Sequence, residues 1–314
     1  MSKNAKTLIL GLILSALPAV ILADYGGQKV KFSIDQGYDL QKRSQLSATL
    51  LRITARLYFY IDDAWWNTLN NAEMDSAKLS IQKLGEEFDN NIYSGLTSAF
   101  GSEWKPGIDK DEKITVLIHP MKDQSGGYFN SADEYSKDLI PVSNEREMVY
   151  LSAQQINSDL LKAFLAHEFT HLITFNQKER IRGVQEEVWL NEARSEYAST
   201  LLGYDSKGGD SNLNRRIKDF LREPSGSFVN WGSKRENYGT ANLFTQYLVD
   251  HYGLDILTIS LYSSQKGIDS INYALTKKGY TRDFDDIFGD WTIAVFVNDC
   301  SLGDKYCYLN PILK

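Results

Sequence analysis

Cysteine is almost absent from this chain of 314 residues. Cys300 and Cys307 are its two, too few for a cysteine-built metal cluster or a disulfide-dense scaffold. Proline (6) is sparse and glycine (22) no more than ordinary, which excludes collagen-like and linker-like material. Positive charge is not in excess, because 34 Lys+Arg stand against 41 Asp+Glu for a net charge of −7. Without a basic surplus to neutralise phosphates, nucleic acid is not an expected partner. After residue 23 there is no further long apolar run, so a multi-pass membrane protein is excluded. The chain as a whole is 42% hydrophobic and 12% aromatic. That is ample for a buried core, in one large domain or two lobes.

Residues 1–23 read as a separate unit. Lys3 and Lys6 open it, an apolar run from Leu8 to Leu22 follows, and Ala23 precedes polar Asp24-Tyr25-Gly26-Gly27. This is the layout of a signal peptide cleaved after Ala23. The run is short for a span of ~20 residues and contains Pro18, so no stable membrane insertion is expected after cleavage. The expected location is secreted or periplasmic. In such an oxidising compartment Cys300 and Cys307 should close a local disulfide.

Along the chain, Val30–Ile34 and Leu50–Ile61 alternate apolar with polar residues and predict strands, most clearly over Leu51–Leu57. The spacing predicts a helix over Ala72–Phe100, broken at Trp104-Lys105-Pro106-Gly107. Ile114–Ile118 and Met148–Leu151 are short buried-strand candidates, with Gly126-Gly127-Tyr128-Phe129 extended or turning between them. From Ile156 the period becomes helical, with further helices expected near Trp189–Leu202, Leu213–Leu221, Thr240–His251, Leu254–Leu261 and Phe284–Val297. Strands first and helices second argue for an α+β fold. Asp109-Lys110-Asp111-Glu112 has the acid density of a cation loop but lacks EF-hand spacing, and reads as a solvated turn.

The chain has four histidines, and two of them stand in His167-Glu168-Phe169-Thr170-His171. On a helix, residues four apart point the same way, so both imidazoles can meet one cation. Glu168 is one step round and can face a water on that cation without ligating it. A zinc site of this type needs a third protein ligand and an open fourth position. Leu172–Arg180 holds neither Gly nor a third His, which rejects the metzincin continuation. Downstream, Trp189-Leu190-Asn191-Glu192-Ala193-Arg194-Ser195-Glu196-Tyr197 places Glu192 and Glu196 on one helical face. One of these can ligate while the other orients a ligand histidine through its free ring nitrogen.

HEFTH followed by NEARSEY resembles the gluzincin pattern of zinc metallopeptidases, and most narrowly the hyicolysin-type neutral metallopeptidases of bacteria. Pro106-Gly107-Ile108-Asp109, Gly126-Gly127-Tyr128-Phe129 and Tyr238-Gly239 extend the likeness over roughly Ile61–Gly253. The resemblance implies one Zn²⁺ on His167, His171 and Glu192, with Glu168 as catalytic base. It puts Glu196 where thermolysin-like enzymes carry Asp, holding a ligand histidine, and makes Asn191 another such partner. The oxyanion donor would be Tyr238, in a Tyr-x-x-Gly-like helix start with Ala241 in place of Gly, rather than His251; His119 is expected to be structural. Gly126, Gly127 and Tyr128 would form an extended edge pairing with substrate backbone.

The implied architecture is zincin-like. A β-rich lobe over 24–176 ends in the HExxH helix, and a mainly helical lobe covers 177–314. Residues 24–60 are expected in the sheet rather than as an inhibitory pro-segment, since no cysteine there could cap zinc. The expected activity is that of a monomeric endopeptidase acting on protein or peptide. Its rivals are an aminopeptidase, for which Gly-x-Met-Glu-Asn is missing, and a non-catalytic envelope binding protein, against which the intact Glu168 speaks.

Overall fold

The computed structural model describes residues 23–122, 125–206 and 209–314. The expected signal segment, apart from Ala23, lies outside the described residues. Strands β1 (Lys29–Ser33), β2 (Gln45–Ile53) and β3 (Leu57–Asp62) form an antiparallel meander. β2 alternates as a half-buried strand should, with Leu46, Ala48 and Leu50 inward. β3 is buried on both faces. Residues 24–60 therefore supply β1, β2 and most of β3.

Leu51–Leu57, the stretch whose alternation is most strand-like, ends β2 at Ile53 and begins β3 at Leu57, with a corner at Thr54–Arg56 between them. Thr54 turns it: its N–H donates to the Leu57 carbonyl at 2.9 Å, and its Oγ1 accepts from the Arg56 and Leu57 N–H groups. The Ala55 N–H donates to Asp89 on the next helix. Thr54 and Arg56 continue the apolar–polar beat through the corner, so periodicity alone passes over it.

A single turn, α1 (Asp63–Trp66), precedes a long rod built from α2 (Asn71–Glu87), a π-helical turn (Phe88–Ile92) and α3 (Tyr93–Phe100). Asn70 starts the rod with a reciprocal cap: its side chain accepts from the Glu73 N–H, and the Glu73 carboxylate accepts from the Asn70 N–H. The rod is the crossover that returns the chain to β4 (Ile114–His119), parallel to β3. β6 (Met148–Ser152) continues parallel beside β4, and β5 (Gly127–Phe129) runs antiparallel to β6 at the sheet edge. The order is β1-β2-β3-β4-β6-β5.

Two cores flank this sheet. Leu57, Phe59, Ile61, Val116, Ile118, Val149 and Leu151 face the helices, while Tyr58, Tyr60, Leu117, Tyr128 and Tyr150 pack on the other side with Phe32, Leu46 and Leu50. The helical core continues into α4 (Leu161–Thr174), which ends through a π-helical turn (Phe175–Arg180), and α5 (Val188–Leu201). Then come α6 (Asn212–Phe220), α7 (Arg235–Tyr252), α8 (Asp255–Leu261), α9 (Gly267–Lys277) and α10 (Phe284–Val297). α7 begins five residues before the expected Thr240, which brings Tyr238 into its first turn. α9 was not expected from the sequence.

The result is a two-lobed, zincin-like α+β fold. Cys300 and Cys307 are joined as a disulfide. No helix among the described residues is long and apolar enough to cross a membrane.

Candidate active site

α4 has no side-chain N-cap and needs none, because it is buried nearly all round: Leu161, Phe164, Leu165, Phe169, Leu172 and Ile173 are all in the core. Its face toward the edge strand is the exception and carries His167, Glu168 and His171. α5 crosses it, and the two helices bring the ligand-type atoms together. The Nε2 atoms of His167 and His171 are 3.1 Å apart. Glu192 Oε2 lies 3.2 Å from the first and 3.6 Å from the second. Among the described residues this trio is the group whose ligand atoms all lie within 4.8 Å of one another.

The far ring nitrogens have partners. His171 Nδ1 is 3.1 Å from Asn191 Oδ1 and 3.1 Å from Ser195 Oγ. His167 Nδ1 is 3.4 Å from Glu196 Oε1. With both Nδ1 protons directed at these acceptors, two Nε2 lone pairs face each other beside a buried carboxylate oxygen, Glu192 Oε2, that has no hydrogen-bond donor among the described residues. That arrangement is repulsive unless a positive charge, a metal ion or a ring proton, sits between the three atoms. Zinc bonds of ~2.0–2.1 Å set tetrahedral ligand atoms ~3.3 Å apart, which the three separations straddle. The residues present fit one such ion.

Glu196 is buried, which by itself raises its carboxyl, but Arg216 outweighs burial and, with His167 and Arg215, holds it at about 2. Arg216 donates to both Glu196 oxygens, and Asn212 Nδ2 donates to Oε2 at 2.8 Å. Burial also pushes Glu168 above the usual carboxylate range, helped by Glu192 and Glu196 and opposed by both histidines. Glu192 is held well below that range: burial opposes this, but His171 and His167 prevail.

These groups open into a cavity of 540 Å³ bounded by β5, α4, α5, α6 and the start of α7. β5 lies hard against α4. A Cβ on Gly126 would sit 2.3 Å from the Phe164 ring, and one on Gly127 would sit 2.5 Å from the Tyr150 carbonyl and 3.0 Å from the Glu168 side chain. Only glycine permits that approach. Phe129 stacks over His171, whereas the Tyr128 ring turns to the opposite core between Tyr38 and Tyr150.

Tyr238 lines the cavity from α7. Trp231 packs on it edge-on at 4.8 Å, and the Arg216 guanidinium sits 4.7 Å above its ring. Gly239 makes the placement possible, since a Cβ there would meet the α6 backbone at 2.5 Å. Burial first, then Glu192 and Tyr38, push its phenol above the ordinary tyrosine range. His251 is elsewhere, with Nε2 3.0 Å from the Cys307 carbonyl. His119 is buried against Asp39.

Four residues of this site were not singled out from the sequence. Ser195 shares a helical face with Asn191, a spacing that could have exposed it. Asn212 and Arg216 arrive from α6 with no local signal. Tyr38 sits in the β1–β2 connection, where its phenol is pushed up to about 12 by burial, then by Glu168 and Glu192.

No protein-family model matches the chain. Over 193 residues it is 28% identical to the neutral metalloprotease ShpI of Staphylococcus hyicus, covering 53% of this chain and 41% of that protein. The chain therefore spans about two-fifths of the relative's length, and within that span it is similar to a metalloprotease.

Proposed function

We propose that this protein is a zinc-dependent endopeptidase of the gluzincin type, exported from the cell. The observation that carries the reading is the convergence of two imidazole nitrogens and an unpartnered carboxylate oxygen, from neighbouring helices, at the floor of an open cavity. The likeness to a neutral metalloprotease supports it.

His167, His171 and Glu192 would hold the ion. When bound there, zinc supplies Lewis acidity and makes water a nucleophile near neutral pH. The chain's own groups do the remaining work. Glu168 takes the proton from the attacking water and returns it to the leaving amine as the C–N bond breaks. Asn191, Ser195 and Glu196 fix ring orientation and tautomer of the two histidines. The free edge of β5 pairs with extended substrate backbone, and Gly126 and Gly127 seat that strand against Phe164 and Glu168. Tyr238 donates to the oxygen that becomes negative in the tetrahedral state.

The test is Glu168→Gln in the mature protein, assayed with casein and with peptides of mapped cleavage. The variant should retain zinc at one ion per chain and lose cleavage, and the wild type should cut at internal bonds. Wild-type turnover by the variant would refute the assigned base, and cleavage confined to terminal residues would replace the endopeptidase by an exopeptidase.

A further inference from the structure

A second group of acids lies away from the histidines, on the side of the sheet where the β5–β6 connection meets the turn before β4. Glu134 and Glu147 are buried there, 3% and 2% exposed. Neither oxygen of Glu134 has a hydrogen-bond partner among the described residues, nor does Glu147 Oε2. Glu147 Oε1 accepts the Ile108 N–H at 2.7 Å. The Gly107 turn wraps so closely that a Cβ would fall 1.6 Å from Glu147 Oε2.

Two further carboxylates surround the pair. Asp133 is fully engaged, by the Asn144 N–H and side-chain amide on one oxygen and by the Tyr150 hydroxyl on the other. Asp109, which accepts the Asp111 N–H at 2.9 Å, adds a third acid within electrostatic reach of both glutamates. The nearby cations are committed elsewhere: Arg146 to Asp24, Lys137 to Glu145, and Lys110 to the Gly107 carbonyl. Burial and the neighbouring acids push Glu134 well above the usual carboxylate range.

Burying unpaired carboxylates is costly unless something positive joins them. One shared proton bridges two oxygens, and three stand unpartnered here. The donors are all oxygen, without imidazole or thiolate, which selects a hard cation. We propose that Glu134 and Glu147 form a calcium site tying the β5–β6 connection to the turn before β4. Two carboxylates meet directly, so carbonyl oxygens of the turns and water complete the shell, as is common for calcium.

The site lies on the route to the cavity. Ser131, three residues before Glu134, lines the cavity wall, and Tyr135 donates to Glu179 at 2.8 Å while packing on Phe175 beyond α4. Calcium here would stiffen the connection leaving the edge strand. The inference does not depend on the peptidase reading.

The experiment uses the full mature chain, zinc held constant and Glu168→Gln in place to prevent self-cleavage. Calcium-free protein is titrated with CaCl₂ by calorimetry and thermal melting. One ion per chain is expected, with Tm rising by about 5 °C at a hundredfold excess over Kd. Glu134→Gln and Glu147→Gln, made separately, should each abolish uptake and raise the calcium-free Tm by relieving repulsion. No uptake by the parent protein at millimolar calcium overturns the site in favour of a shared proton. Uptake that survives both substitutions overturns it by placing the ion elsewhere.

Discussion

Glu196 Oε1 stands 3.4 Å from His167 Nδ1 while Arg216 donates to both oxygens of the same carboxylate. The side chain thus links an imidazole of the candidate zinc trio to α6, with Asn212 as a further donor. Glu196→Gln should leave three ligands in place but lose the charge that holds the ring. Zinc affinity should fall ~10–100-fold, read by competition with a chromophoric chelator. Arg216 keeps Asp219 at 3.2 Å, so the fold should survive with a lowered Tm. Unchanged zinc affinity would reduce Glu196 to a structural partner of Arg216.

Gly127 packs its backbone where any side chain would strike the Tyr150 carbonyl and Glu168. Gly127→Ala should cost about 1–3 kcal/mol of stability and displace the general base. Gly26→Ala is the matched control, because nothing lies within 4 Å of its Cβ, and it should stay within about 0.5 kcal/mol of wild type. Melting curves and kcat/KM on one peptide decide the matter; equal behaviour of the two variants would contradict the close approach.

Tyr238 has no hydrogen bond to its hydroxyl among the described residues, although it lines the cavity. A structural phenol would show little effect on losing that hydroxyl. Tyr238→Phe should therefore keep Tm and KM while kcat falls ~10²–10³-fold, as when an oxyanion donor is removed. Tyr38→Phe is the comparison, since Tyr38 faces Glu168 and Glu192 from the opposite wall. A kcat loss confined to Tyr38→Phe would transfer the role.

What the sequence made legible follows from local periodicity. His167 and His171, and likewise Glu192 and Glu196, are each one helical turn apart, so their faces could be read without a fold. The rod over Ala72–Phe100 was legible because its apolar stripe runs through the π-turn without interruption. The corner at Thr54 was hidden because a side-chain-capped turn and a strand share the same alternation. Arg216 and Tyr38 were hidden for another reason: each reaches the site through tertiary packing, and nothing near Arg216 in sequence announces Glu196. Glu134 and Glu147 stand thirteen residues apart across a connection, and only the fold shows that they come within electrostatic reach of Asp109, whose turn by itself read as solvated.

The acids at the proposed calcium site also fix how stability varies with pH. In the folded chain Asp133 is pushed up to about 6, first by burial, against the donors around it. Glu147 rises to about 7, again by burial first, with Asp109 adding to it. Both stand above their ordinary values of 3.8 and 4.5, so between those values and the folded ones the native state holds protons that the unfolded chain has released. Stability without calcium must then fall as pH rises across roughly pH 4 to 7 through these groups. Calcium needs Glu147 and Glu134 deprotonated, and both are raised in the folded chain, so its stabilising effect must grow as pH rises. The Tm difference between calcium-loaded and calcium-free protein, measured from pH 5 to 8 at fixed zinc, should be small at pH 5 and largest at pH 8. A calcium effect that is flat across this range would show that the ion binds groups other than Glu134 and Glu147.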